Sequence, residues 1–145
     1  MARFRTIVYT SMRVVAALVL MQHGIQKLFG AFGGMGPTHG AVPTGSIFWF
    51  AGLVETFIVP LVLVGFLARP AALIVSGEMA TAYFLMHAPS GFWPILNHGE
   101  LPALFSFIFL FFAVFGPGPI SIDALIFRGT AAERLGVRPR LLTEP

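Results

Sequence analysis

Three polar side chains interrupt the apolar stretch VLMQHGIQKLFGAFGG at residues 19–34: His23, Gln26 and Lys27. In greasy surroundings an imidazole and an ammonium can pair with a carboxylate, donate a hydrogen bond to a ligand oxygen, or pass a proton. Other ionisable residues lie in equally apolar surroundings: Arg13 before them, then Glu55 and Glu78, with Glu100 heading the last apolar stretch. Such groups cost about 2.5 to 3.5 kcal/mol each at mid-membrane and usually face a bundle interior or a wet cavity. Arg13 and Lys27 are fourteen residues apart, so on a helix they lie within about 40° of each other, with His23 within about 80° of Arg13. Gln22 points the opposite way, which makes Gln26 the better candidate to join the face.

Depth follows from a rise of about 1.5 Å per residue. Arg13 falls about 9 Å from one end of its helix and Glu78 about 12 Å in from the same side, whereas Glu55, His23 and Lys27 share the opposite half. The expected pairs are therefore Arg13 with Glu78, and Lys27 or His23 with Glu55. Removing one member of such a pair strands the other in low dielectric. Two readings stay open: pairs that only fix helix packing, and a network that also binds or relays something.

The elements that must hold these groups are set by composition. Of 145 residues 57% are hydrophobic and 10% charged, against about 25% charged in a soluble domain, and the mean hydropathy is +0.85. The chain is expected to be an all-α membrane protein, a four-helix transmembrane bundle in one domain with no linker. The spans fall at about 7–29, 47–67, 70–87 and 100–115, each near the roughly 20 residues that cross hydrocarbon. Pro70 suits a first helical turn, and Pro60 should kink the second span. Residues 30–46 form a Gly/Pro-rich loop, "ARP" at 68–70 a tight turn, and 88–99, with Phe92 and Trp93, a loop at headgroup level. The tail, 121–145, regains charge and could hold a short surface helix around 124–135. GLVE in the second span and GE in the third are too short to count as a repeat.

Arg3, Arg5, Arg69, Arg128, Arg134, Arg138 and Arg140 fall on one side of four spans, so both termini are expected in the cytoplasm. A cleavable signal peptide at residues 1–30 is disfavoured, because the run is long enough to span and lacks a small-residue cleavage site. The pI near 10.2 reflects this topology-setting charge, and no nucleic-acid partner is expected. There is no cysteine, which removes thiolate metal sites, dithiol exchange, Fe–S ligation and covalent haem from this chain's repertoire. His39, His87 and His98 match no helix-borne metal motif, so no metal site is expected. Six phenylalanines from Phe105 to Phe115 make the fourth helix aromatic all round, for lipid contact and packing or, secondarily, for a flat ring. FGGMG at 32–36 carries no phosphate-loop pattern.

MRVVAALVLMQHGIQKLFG resembles the first-helix signature of the DoxX family, with an Arg, then His-Gly, then Lys. SGEMATAYFLMHAPSGFWPILNHGELPALFSFIFLFF is similar to the family's third and fourth helices, and FGPGPISID to its closing Gly-rich segment. The resemblance covers residues 10 to 125, with Arg13, His23, Gly24, Lys27, Glu55, Glu78, Tyr83, His87, Asn97, Gly99, Glu100 and Asp123 at motif positions. It implies a multi-pass protein of the inner membrane associated with quinone-linked redox systems, acting beside a partner oxidoreductase subunit or as a homo-oligomer. Under that implication His23, Lys27 and Glu55, closed by Glu100, form a pocket for a quinone headgroup. No catalytic residue is assigned. A small-solute or proton-coupled transport component and a purely structural membrane partner are the alternatives.

Overall fold

The computed structural model describes residues 2–127, and these are helical apart from turns and loops. Helix α1 spans Ala2–Phe29, α2 Ile47–Val64 and α3 Ala68–Ser90. A single turn, α4, covers Pro94–Asn97, followed by α5 at Glu100–Phe115 and α6 at Ile122–Ile126. Among the described residues the only pairing of extended backbone is the isolated bridge Met35–Gly40, inside the 30–46 loop. By length and composition α1, α2 and α3 can each cross a membrane. The 16 residues of α5 extend about 24 Å, short of a hydrocarbon thickness of about 30 Å. The expected tail helix around 124–135 lies mostly outside the described residues, as do Arg128, Arg134, Arg138 and Arg140.

Local chemistry sets the helix limits. Ser46 caps α2 by accepting the Trp49 N–H, and the left-handed Gly65 ends it at Val64 instead of the expected 67. Pro70 sits in the first turn of α3, which opens two residues earlier than expected and runs on past His87. Two wide turns interrupt the regular winding. At Val54–Ile58 the Val59 N–H reaches back five residues to the Val54 carbonyl, and at Tyr83–His87 that of Ala88 reaches Tyr83. Each wide turn stands two residues ahead of a proline, Pro60 or Pro89. A proline cannot donate to the carbonyl four residues back and its ring crowds that carbonyl, so one widened turn absorbs both faults. At Pro60, where the sequence predicts a distortion, the structure shows this widened turn.

The buried face of α1 is the stripe Arg13, Ala16, Ala17, Leu20 and Gly24, the three-and-four spacing of a helix packed along one side. It meets Val59 and Val62 of α2, Ala72, Val75 and Met79 of α3, and Phe105, Phe109 and Phe112 of α5. Ile7, Val15, Phe57, Ile74 and Phe107 point outward, an arrangement costly in water and natural in lipid. Gly24 fixes how closely α1 and α2 approach. A Cβ there would lie 2.6 Å from Thr56 Oγ1 and 2.8 Å from Glu55 Cβ and Thr56 N, so any larger side chain drives the two helices apart.

Packing divides the molecule. α2 lies along α1, and α3 along α5. Between these pairs, contacts of α2 with α3 are concentrated in Val54–Val64 against Ala68–Ala82, beside the tight turn that joins them. Toward Ile47 at one helix end and His87 at the other, the two diverge.

Candidate functional site

The divergence of α2 and α3 leaves a cavity of about 520 Å³. Its walls are mostly apolar, including Leu20, Met35, Phe48, Phe50, Met79, Met86 and Phe105. Its polar lining consists of His23 and Lys27 from α1, Glu55 from α2, Thr81, Glu78 and His87 from α3, and His98 from the segment before α5. Ile47, Phe50, Leu85, Met86 and Leu101 line it and are also exposed. The mouth therefore has an apolar rim between α2 and α3, facing the surroundings that lipid would fill.

At its floor the Lys27 ammonium lies 2.5 Å from both carboxylate oxygens of Glu55. The Glu55 side chain is 1% exposed and that of Lys27 14%. This is the only ion pair among the described residues. Its position follows from the close approach at Gly24, one turn before Lys27, and from the wide turn at Val54–Ile58, which carries Glu55. Burial here is tolerable because each charge meets its opposite in a forked contact; either alone would be destabilising by several kcal/mol. Glu78 faces the same cavity, and its Oε2 is buried without a hydrogen-bond partner. His87 Nδ1 donates to the Asn97 carbonyl at 3.0 Å, which leaves Nε2 as an acceptor in the neutral ring. The loop after α1 folds back over this end: Gln26 donates to the Gly34 carbonyl at 2.9 Å and Val42 N to the Lys27 carbonyl at 2.8 Å. Met35 thereby joins the lining. Among the described residues no three His, Asp or Glu side chains converge to hold a metal ion.

Arg13 is elsewhere, and the expected Arg13–Glu78 pair does not form. Its guanidinium donates to the carbonyls of Pro117 and of Ile120, the latter at 2.8 Å. Tyr9, one turn earlier, donates to the Gly116 carbonyl at 2.6 Å. The physical reason is local. The Gly-Pro-Gly-Pro segment after α5 is not helical, so its carbonyls lack helix partners, and in a low-dielectric setting they need donors. At Gly118, φ is +83° and a Cβ would stand 2.8 Å from the Tyr9 ring, so the segment packs flush on α1. Asp123 completes this end, its two oxygens accepting from Leu67 N at 2.8 Å and Ala68 N at 2.9 Å and so capping α3. Glu78, in a helix that starts two residues early, sits nearer mid-helix than its estimated depth and turns toward Lys27's half.

Glu100 is the second correction: it is exposed and outside the cavity lining, because α5 begins with it at the rim. Gln26 holds the loop and stays out of the charged group. His87 and His98, which sequence spacing leaves as unrelated loop residues, both reach the cavity. The cue was indirect: Pro89 after His87, and Asn97, whose side chain bonds Gly91 O and Gly99 N and folds the 88–99 loop back.

The family model described as DoxX matches residues 9–88. An uncharacterized protein of Haemophilus influenzae (strain ATCC 51907 / DSM 11121 / KW20 / Rd) is 36% identical over 129 residues, 87% of this chain and 96% of its own length. No solved structure matches the chain significantly. Arg13, His23, Lys27, Glu55 and Glu78 fall inside the matched stretch, whereas the α5 wall of the cavity lies beyond it.

Proposed function

The chain belongs to the DoxX family of membrane proteins, and on that footing we propose that it is a membrane subunit of a quinone-linked redox system, with the cavity as the seat of a quinone headgroup. One observation carries this: a laterally facing, apolar-rimmed cavity with a charged floor. An isoprenoid quinone dissolves in hydrocarbon and presents polar carbonyls on a flat ring, so it can reach such a site from the bilayer. Lys27 has three N–H groups and offers Glu55 only part of them; the remainder, with His23, can donate to a quinone carbonyl. Phe48, Phe50 and Phe105 supply faces for the ring. Without cysteine, electrons must come from a partner oxidoreductase.

The membrane form belongs to the same proposal. With α5 as the fourth span, the protein is a four-helix bundle of the inner membrane with both termini in the cytoplasm, supported by Arg3, Arg5 and Arg69 on one side. The cavity then lies in the outer half.

The test fills the cavity without touching a charge. Ala51→Trp, on the α2 wall, should lower the quinone retained in mild detergent, and the quinone bound on titration, by at least about tenfold, with the melting temperature kept near that of the unsubstituted protein. Equal quinone binding in folded Ala51→Trp would move the site elsewhere.

A further inference from the structure

We propose that the same cavity binds lipophilic organic cations, with the Glu78 carboxylate as their counter-charge. The proposal goes beyond the quinone reading and stands without it, because it rests on a charge count that a neutral ring leaves unanswered. Two carboxylates, Glu55 and Glu78, and one ammonium, Lys27, line the space. Lys27 is closed on both oxygens of Glu55, so that pair is internally neutral. Glu78 is left over, with Oε2 buried and without a partner. Every other titratable group facing it is a histidine: His23 on α1, His87 on α3 and His98 before α5. Among the described residues neither Arg13 nor Arg69 lines the cavity to balance it.

A carboxyl group in such a place takes either a proton or a cation as its counter-charge, and the walls decide which kind of cation can displace the proton. A small hydrated ion gains little from a lining that is mainly apolar. A bulky cation with spread charge loses little on leaving water and gains contact with Phe48, Phe50 and Phe105, whose faces attract positive charge. Met35, Met79 and Met86 are unbranched and polarizable, and adapt to varied shapes. About 520 Å³ lies within the range of about 300–1,000 Å³ that holds drug-sized ligands. The rim of Phe50, Leu85 and Met86 faces lipid, where such cations already concentrate.

The experiment measures radiolabelled tetraphenylphosphonium binding to the full chain in nanodiscs, with empty nanodiscs as background. The unsubstituted protein should show saturable binding above that background. Glu78→Gln, which keeps the shape and removes the charge, should weaken it by at least about tenfold, while Glu78→Asp should retain part of it. The neutral analogue triphenylphosphine oxide should compete poorly. Binding that is unchanged in Glu78→Gln, or absent from the unsubstituted protein, overturns the proposal. Quinone titrated against the unsubstituted protein in the same nanodiscs separates the two readings: quinone bound without the cation rejects this inference alone, and the cation bound without quinone rejects the earlier one alone.

Discussion

The two halves of α1 handle buried positive charge in opposite ways. In the first half, Arg13 meets only backbone: the carbonyls of Pro117 and Ile120, with Tyr9 on Gly116 beside it and Asp123 capping α3. Near the finish, Lys27 meets a carboxylate, and a second carboxylate and three histidines share the space around it. In the first half the polar groups lock together segments far apart in sequence, and the chain fills the room between them. Each half leaves a buried polar atom without a partner, Arg13 Nε in the first and Glu78 Oε2 beside the second, but at the second a cavity lies beside it. A helix can thus carry a cation as a fastener and another as part of a site. What separates them is whether the acceptors are backbone atoms in a closed turn or side chains around an open volume.

The sharpest way to break this contrast is at the Lys27–Glu55 pair. Lys27→Met alone leaves Glu55, 1% exposed, as an uncompensated charge and should cost about 3 to 5 kcal/mol, read as a large fall in melting temperature or in yield. Lys27→Met with Glu55→Leu should recover most of that loss. Additive losses would show that the two residues are uncoupled.

Arg13→Met comes next. It removes charge-assisted hydrogen bonds to two carbonyls, each bond worth about 1.5 to 3 kcal/mol, and should lower thermal stability while leaving ligand binding at the cavity unchanged once the protein is folded. A loss of binding in stable Arg13→Met would erase the distinction between fastener and site. The smallest effect is expected from Asp123→Ala, which deletes the α3 cap at a cost of about 0.5 to 2 kcal/mol. Hydrogen exchange should rise at Leu67 and Ala68 and stay flat at Tyr83–His87.

Residue types and depth along a helix carried part of this picture and missed a definable remainder. Lys27 and Glu55 fall in the same half of their helices on the sequence, and the ion pair lies there, because two side chains of opposite charge advertise themselves by type. The same logic pairs Arg13 with Glu78, and it fails there because the acceptors of Arg13 are carbonyls, which every residue possesses. Only the prolines and glycines of FGPGPISID betray them, by breaking the helix that would have used those carbonyls. The wide turns were half legible: Pro60 marks a fault in α2, but the direction in which the extra residue swings Glu55 depends on α1. His98 and Glu100 exchange roles for a related reason. They are two residues apart in a loop-to-helix junction, where a left-handed residue at His98, φ 58°, decides what faces the cavity.

The shortness of α5 has a mechanical consequence for the membrane itself. With α5 as the proposed fourth span, a bilayer that meets α1, 28 residues long, on one flank and α5, 16 residues long, on another must change thickness around the circumference or let the molecule tilt. Each ångström of mismatch costs a fraction of a kcal/mol, so the elastic load concentrates along the α5 flank and shrinks as lipid tails shorten. Acyl-chain length then becomes a variable that sets how the protein leans in the membrane, independently of anything bound inside it.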